Sequence, residues 1–270
     1  MPHMASYSRR GAVLVATLSA VLTACGGSTG ASSTSAATTS VGSSSATATP
    51  SATTAPARGV SNGATYTVTR SSAGDATADG SGRWNLVVDT ITGGDPRVSE
   101  AFNSAVHASA AAQLAPVRRD ADPEGTWTFD TEPQISFSRA AVSELITGLY
   151  VHVPAAHPTS SVSTVVIDSR SAKPITLGEL FTDKQAGLER LSQQTKALLP
   201  TVSGVGPTPM PDEPGNAPEE ANFANWIPTP AGLELHFADY QFFHGLPTIT
   251  VPWSALDDLL APGMDALRQS

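Results

Sequence analysis

Residues 222–253 read NFANWIPTPAGLELHFADYQFFHGLPTITVPW, and the chain's aromatic and turn residues collect densely there. Two short apolar runs, 233–237 and 248–251, flank a Tyr-Gln-Phe-Phe-His-Gly segment, with Trp253 directly after. Apolar runs punctuated by Gly and Pro predict a strand, a bend, a second strand and then a short helix capped by Ser254. Adjacent residues of an extended chain point to opposite faces, so one of Phe242 and Phe243 packs inward while the other is exposed or lines a groove. Exposed aromatic rings beside a histidine and a glycine are what a recognition site for a protein or a glycan uses. Tyr240, Phe242, Phe243, His244 and Gly245 are therefore the candidate ligand-binding residues.

Upstream of this focus the elements follow in order. Tyr66 and Val68, then Trp84, Leu86 and Val88, alternate as half-buried strands do, so folded structure is expected from about residue 64. Asp95-Pro96 opens a helix, since the carboxylate can accept from free first-turn amides and proline suits the first helical position. Val98, Ala101, Phe102, Ala105 and Val106 share one face of that helix, which is expected to stop at Ala115-Pro116, with His107 beside the stripe as a packed or surface residue. Residues 118–132 read as a polar connection, and 135–137, 142–153 and 162–168 as strands joined tightly enough to pair antiparallel. A second helix through Leu188, Leu191, Leu198 and Leu199 is expected to end at Pro200. The Pro/Gly-rich stretch 201–218, with Asp212, Glu213, Glu219 and Glu220 in or beside it, reads as a solvated loop; its spacing is not that of a calcium-binding loop.

The first sixty residues are not core material. Arg9 and Arg10 precede an apolar run, 11–22, too short for a bilayer span of about 20 residues, and small residues follow it: the pattern of an export signal. Ser8-Arg9-Arg10 hints at twin-arginine export, but Ala12 stands where a bulky apolar residue is expected. Leu22-Thr23-Ala24-Cys25 resembles the bacterial lipobox, which implies cleavage before Cys25 and a lipid on its thiol. Each acyl methylene adds about 0.8 kcal/mol of membrane affinity. Gly, Ser, Thr, Ala and Pro then dominate to about residue 59, a composition that cannot offset the entropy of ordering. A tether of that length reaches about 30–35 Å.

The formal net charge is −9, and loss of Arg9 and Arg10 with the signal takes it to −11. Such a balance excludes a nucleic-acid partner, for want of basic groups to neutralise phosphates, and favours a basic one. Cys25 is the single cysteine, so no internal disulfide or cysteine-based zinc cluster can form. No Gly-x-Ser-x-Gly elbow, phosphate-cradling glycine loop or His-Glu-x-x-His occurs in the folded part. Zinc held by His152, His157, His236 and His244, and a hydrolase built from His236 or His244 with Asp239 and Ser254, rest on no more than the presence of the residues.

The run of Tyr150, a strand ending at Asp168, Lys173-Pro174-Ile175-Thr176-Leu177 with Glu179-Leu180-Phe181, a helix, Phe223, Gly232-Leu233, Phe237 with Tyr240, Gly245, Val251-Pro252-Trp253 and Leu256 resembles the RsiV-type C-terminal domain. Residues 66–116 resemble the small module that commonly precedes it. The segment 241–244, Gln-Phe-Phe-His, departs from the apolar Pro-Tyr-Ala-like stretch of that family. The resemblance implies an α+β fold with an antiparallel sheet packed by two main helices, and a lysozyme-sensing ectodomain in the anti-sigma factor, whose sigma-binding and transmembrane segments do not precede the tether here.

The expected organisation is thus a signal peptide at 1–24, a lipidated Cys25 with a tether to 63, an ectodomain at 64–261 made of modules 64–116 and 117–261, and a tail at 262–270. The expected function is that of a lipid-anchored envelope protein on the extracytoplasmic face of the bacterial cell membrane. Its non-catalytic ectodomain would bind a lysozyme-like protein or peptidoglycan, with no cofactor, no metal and no catalytic residue. The alternatives are an envelope esterase or hydrolase of low activity, and a structural or assembly factor.

Overall fold

The computed structural model describes residues 57–122, 124–154, 157–202 and 209–269, which belong to one compact unit. The signal peptide, Cys25 and nearly all of the tether lie outside the described residues. Seven strands form one sheet in chain order: β1 (Arg58–Ser61), β2 (Ala64–Ala76), β3 (Gly82–Gly93), β4 (Thr126–Phe137), β5 (Ala141–Val153), β6 (Thr159–Asp168) and β7 (Lys173–Pro174). All neighbours pair antiparallel except β3 and β4, which run parallel over four residue pairs, Gly82↔Trp127 to Asn85↔Asp130. A parallel pair needs a crossover, and helix α1 (Pro96–Asp120) supplies it. After β7 come a one-turn helix α2 (Leu177–Leu180) and α3 (Lys184–Val202), then a three-stranded antiparallel sheet, β8 (Trp226–Pro228), β9 (Gly232–His236) and β10 (Thr248–Pro252), in the order β10-β9-β8. The architecture is α+β, a largely antiparallel sheet with two substantial helices. Among the described residues no helix is long and apolar enough to cross a membrane.

Each face of the large sheet has its own cover. Alternation along β5 and β6 sends Val142, Ile146, Val165 and Ile167 toward the Val98, Phe102, Val106 and Ala110 stripe of α1, all buried. The opposite side chains, Ala141 and Val166, enter a second core with Leu180, Leu191 and Leu199 of the helices and with Leu233, Leu235, Ile249 and Val251 of the small sheet. That second core covers only one end of its face. Further along, Asp130, Glu132 and Leu149 stand uncovered.

Beyond Asn85 the strands β3 and β4 part, and the β3 groups that faced β4 need other partners. Side chains provide them. Thr131 Oγ1 accepts from Val87 N at 2.7 Å and donates to Val87 O at 2.8 Å, Glu144 Oε1 accepts from Asp89 N at 3.2 Å, and the Asn103 amide bridges Ile91 N and O at 2.8 and 2.9 Å. The same parting explains Pro133 within β4. Its carbonyl takes the Arg70 guanidinium at 3.2 Å, and its nitrogen faces the same side, where the ladder has ended and no N–H is required.

Several expected boundaries move. The sheet starts at Arg58, so 58–63 belong to the fold and not to the tether: β1 pairs with β2, and Asn62 N reaches Arg139 O at 2.9 Å. The boundary at 116/117 falls inside α1, and the sheet runs across it, so the two expected modules share one sheet. Asp95 caps α1 through Arg97 N at 2.9 Å as expected, but the helix continues through Pro116. An interior proline costs about 3 kcal/mol. Burial of Leu114 against Trp127 and Phe129, about 2 kcal/mol, with Val117 packed beside it and Arg118 4.8 Å over the Trp84 ring, offsets this. In α3 likewise Pro200 lies inside the helix, which runs on to Val202. The expected connection 118–132 is strand from Thr126: Trp127, Phe129 and Thr131 are buried in alternation with exposed Thr128, Asp130 and Glu132. Finally, the described part of the expected tail, 262–269, packs on the fold, since Leu267 is buried and Gln269 O accepts from Arg139 N at 2.5 Å.

Candidate functional site

Strands β9 and β10 form a hairpin whose connection, 237–247, leaves the sheet after Phe237 N donates to Pro247 O at 3.0 Å. It is a bend built from turns. Tyr240 N donates to Phe243 O and Gln241 N to Ala238 O, each at 3.0 Å. Gln241 fastens it to the preceding loop, its amide nitrogen donating to Gly215 O at 2.8 Å and Asn222 O at 3.0 Å. The approach requires glycine at 215, because a Cβ there would lie 2.6 Å from Gln241 O. Gly245 is needed for a different reason: its surroundings are open, but φ is 115°.

Asp239 is the anchor of the bend. Its carboxylate, with a side chain only 3% exposed, accepts from Ser160 N of β6 at 3.0 Å, Gly245 N at 2.7 Å and His244 Nδ1 at 3.0 Å. Desolvation pushes this carboxyl up, but the two amides and His244 together outweigh it and hold it below the usual aspartate range. His244 therefore presents Nε2 outward from a fixed ring that is half exposed. Tyr240 stacks obliquely on it at 5.0 Å, and His157 approaches at 6.4 Å between ring centroids. Tyr240 is 64% exposed and holds φ at 64°, an unusual backbone state for an aromatic residue.

The candidate residues divide. Phe242 packs edge-on against Phe237 at 5.0 Å and joins the second core, whereas Phe243 is 41% exposed. Tyr240, Phe243 and His244 thus share the outer surface, with Gly245 as backbone support. Beside them the uncovered end of the large sheet forms an open groove of about 450 Å³, with Asp130, Glu132, Leu149, Ser160 and Leu246 in its lining. Sequence reasoning missed Asp130, Glu132, Leu149 and Ser160, which come from three strands and adjoin only when β4, β5 and β6 pair. Asp239 with His244 and Gly245 five and six residues on was a local signal for an anchored bend.

The other histidines do not join this site as a set. His152 stacks on Tyr150 and meets Glu124 O at 2.8 Å, His107 is exposed on α1, and His236 is buried in the small sheet against Thr248 and Glu234. Among the described residues no group of three or more His, Cys, Asp or Glu is placed to hold a metal ion. Among the described residues no hydroxyl is hydrogen-bonded to His244, and Ser254, in the turn after β10, is bonded to neither His236 nor His244. The bend can orient a proton donor or acceptor and offer aromatic contact. Of the acidic residues at 212–220, Asp212 pairs with Lys196 at 2.5 Å and Glu220 with Lys184 at 2.9 Å.

No protein-family model matches the sequence, and no curated protein matches it. In fold the chain is similar to a DUF3298 family protein of Pseudomonas aeruginosa, with 14% identity over 73% of this chain and 95% of that one and a TM-score of 0.52. A DUF3298 family member of Bacteroides fragilis shows 10% identity over 76% of this chain and 97% of that one, at a TM-score of 0.47. The likeness is one of fold and does not single out RsiV.

Proposed function

We propose that this protein is a lipid-anchored envelope protein, held at the extracytoplasmic face of the cell membrane through Cys25, whose RsiV-like ectodomain binds a partner without transforming it. The observation that carries this reading is the presentation of Tyr240, Phe243 and His244. They are exposed yet held in place, because the bend beneath them is fastened by buried Asp239 and by Gln241. Pre-organised aromatic rings lose little freedom on binding and are the residue types that dominate recognition surfaces. A lysozyme-like basic protein suits the acidic balance and the Asp130 and Glu132 side chains in the adjoining groove; a peptidoglycan strand suits the rings.

Titration of the full-length chain with lysozyme and with soluble peptidoglycan fragments tests this. Saturable binding is expected, weakened at least about tenfold by Phe243→Ala or His244→Ala, the loss of one well-placed contact. Binding indifferent to both substitutions, or none with either ligand, sinks the proposal. The His244–Asp239 pair supports a second reading, a weak esterase, which p-nitrophenyl ester turnover abolished by His244→Ala would establish in its place.

A further inference from the structure

On the same side of the large sheet as the bend lies a second concavity, between the two sheets. It is a half-enclosed cleft of about 250 Å³ whose walls are mixed, with Ile135, Phe137, Leu145 and Ile227 on the apolar side, Gln134, Ser136 and Thr229 on the polar side, and a single ionisable group, Glu234. Glu234 is one third exposed. Its Oε1 stands 2.9 Å from His236 Nε2. His236 is 8% exposed, and its Nδ1 lies 3.2 Å from the Thr248 hydroxyl. Nε2, the other ring nitrogen, faces Glu234, so the imidazole holds the carboxylate in place. Thr248, His236 and Glu234 thus form a line of support from inside the small sheet, all of it on the paired strands β9 and β10. No Arg or Lys reaches Glu234 among the described residues, although eight basic side chains of this chain are ion-paired elsewhere. The interaction with His236, against some desolvation, holds the Glu234 carboxyl below the usual glutamate range.

We propose that this cleft is a binding site for a primary alkylammonium group, with Glu234 as the counter-charge and the apolar walls around the alkyl stem. A carboxylate held by His236 at the edge of a partly apolar cleft, with no lysine or arginine beside it among the described residues, is complementary to a cation on an aliphatic chain. Ammonium fits better than guanidinium. The bidentate fork of an arginine needs both carboxylate oxygens, and His236 already occupies the side of Oε1, leaving Oε2 for a point charge. The site is independent of the bend, so it stands or falls apart from the reading above.

The test is a titration of isotope-labelled full-length protein, followed by amide shifts in NMR. The probes are n-butylammonium, the neutral alcohol n-pentanol with one carbon more, n-propylguanidinium, and Nα-acetyl-lysine methylamide, the last distinguishing a lysine side chain from a free small amine. Saturable shifts confined to the amides of Glu234, Ile227 and Leu145 are expected with butylammonium, with propylguanidinium several-fold weaker and pentanol weaker still. Glu234→Gln should weaken butylammonium about tenfold. Equal binding of pentanol would make the cleft an apolar dent and overturn the proposal, as would the absence of saturable shifts or an unchanged affinity in Glu234→Gln. If that variant fails to fold, the comparison of butylammonium with pentanol on the unaltered chain decides by itself.

Discussion

The seam where β3 and β4 part and the bend between β9 and β10 each bury a carboxylate, and the surroundings drive the two in opposite directions. Glu144 in the seam is fully buried, accepts only the Asp89 amide through Oε1, and leaves Oε2 without a partner. Desolvation dominates and pushes it up to about 8; the Asp89 amide opposes the rise, the Asp89 charge adds to it, and Arg70 opposes it. Asp239 in the bend is, as a whole residue, half-buried and nearer the surface, and two backbone amides and an imidazole outweigh its desolvation. Deep burial with one donor raises the first carboxyl; a shallower place with three donors lowers the second. At the seam polar side chains close a gap inside the fold; at the bend they hold exposed rings toward solvent.

The largest expected effect lies in the seam. A glutamate whose folded value is raised from about 4.5 to about 8 destabilises the fold progressively as pH rises through that window, and the penalty is complete above it. Glu144→Gln keeps an acceptor for the Asp89 amide and cannot ionise. It should match the unaltered protein near pH 4 and be more stable at pH 9 by on the order of 4 kcal/mol, read by urea unfolding at both values. Parallel pH dependence in the two proteins would remove the contrast.

Asp239→Ala should cost less, about 2–3 kcal/mol, because it leaves the Ser160 and Gly245 amides without their acceptor. Hydrogen exchange should quicken across 238–247 while α1 stays protected. In the unaltered chain the Asp239 contribution is present above its ordinary value of 3.8 and is lost as pH falls through the lowered one, so acid loosens the bend where alkali loosens the seam. Equal loss of protection over both regions in the variant would show that the bend is not a separate element.

The smallest stability effect is expected at Tyr240, where it is the most telling. Its left-handed backbone is costly for any residue with a Cβ, and its ring is largely exposed. Tyr240→Gly should leave thermal stability unchanged or raise it by up to about 1 kcal/mol, while partner binding falls. Lower stability in step with lower binding would assign Tyr240 to structure alone.

Local chemistry made much of this legible in advance. Asp95-Pro96 marked the start of α1, the apolar runs at 233–237 and 248–251 located β9 and β10, and the paired aromatics signalled one ring in and one out. The errors came where distant contacts override local rules. Pro116 reads as a stop until Trp127 and Phe129 are seen to hold the turn beyond it, and 126–132 reads as a connection because Asp130, Glu132 and Pro133 interrupt what is in fact strand alternation. Arg58–Ser61 has too few apolar residues to announce a strand; backbone pairing with β2 makes it one.

The sequence by itself located the start of α1, the strands β9 and β10 and which faces of them are apolar, since those follow from spacing along the chain. Only the tertiary structure decided that Ser160 and Gly245 converge on Asp239, that Asp130, Leu149 and Leu246 share a groove, and that Glu234 is backed by Thr248 through His236. These arrangements depend on strand register and on how the two sheets meet, and both are fixed by burial summed over the whole core, which no local stretch of sequence encodes.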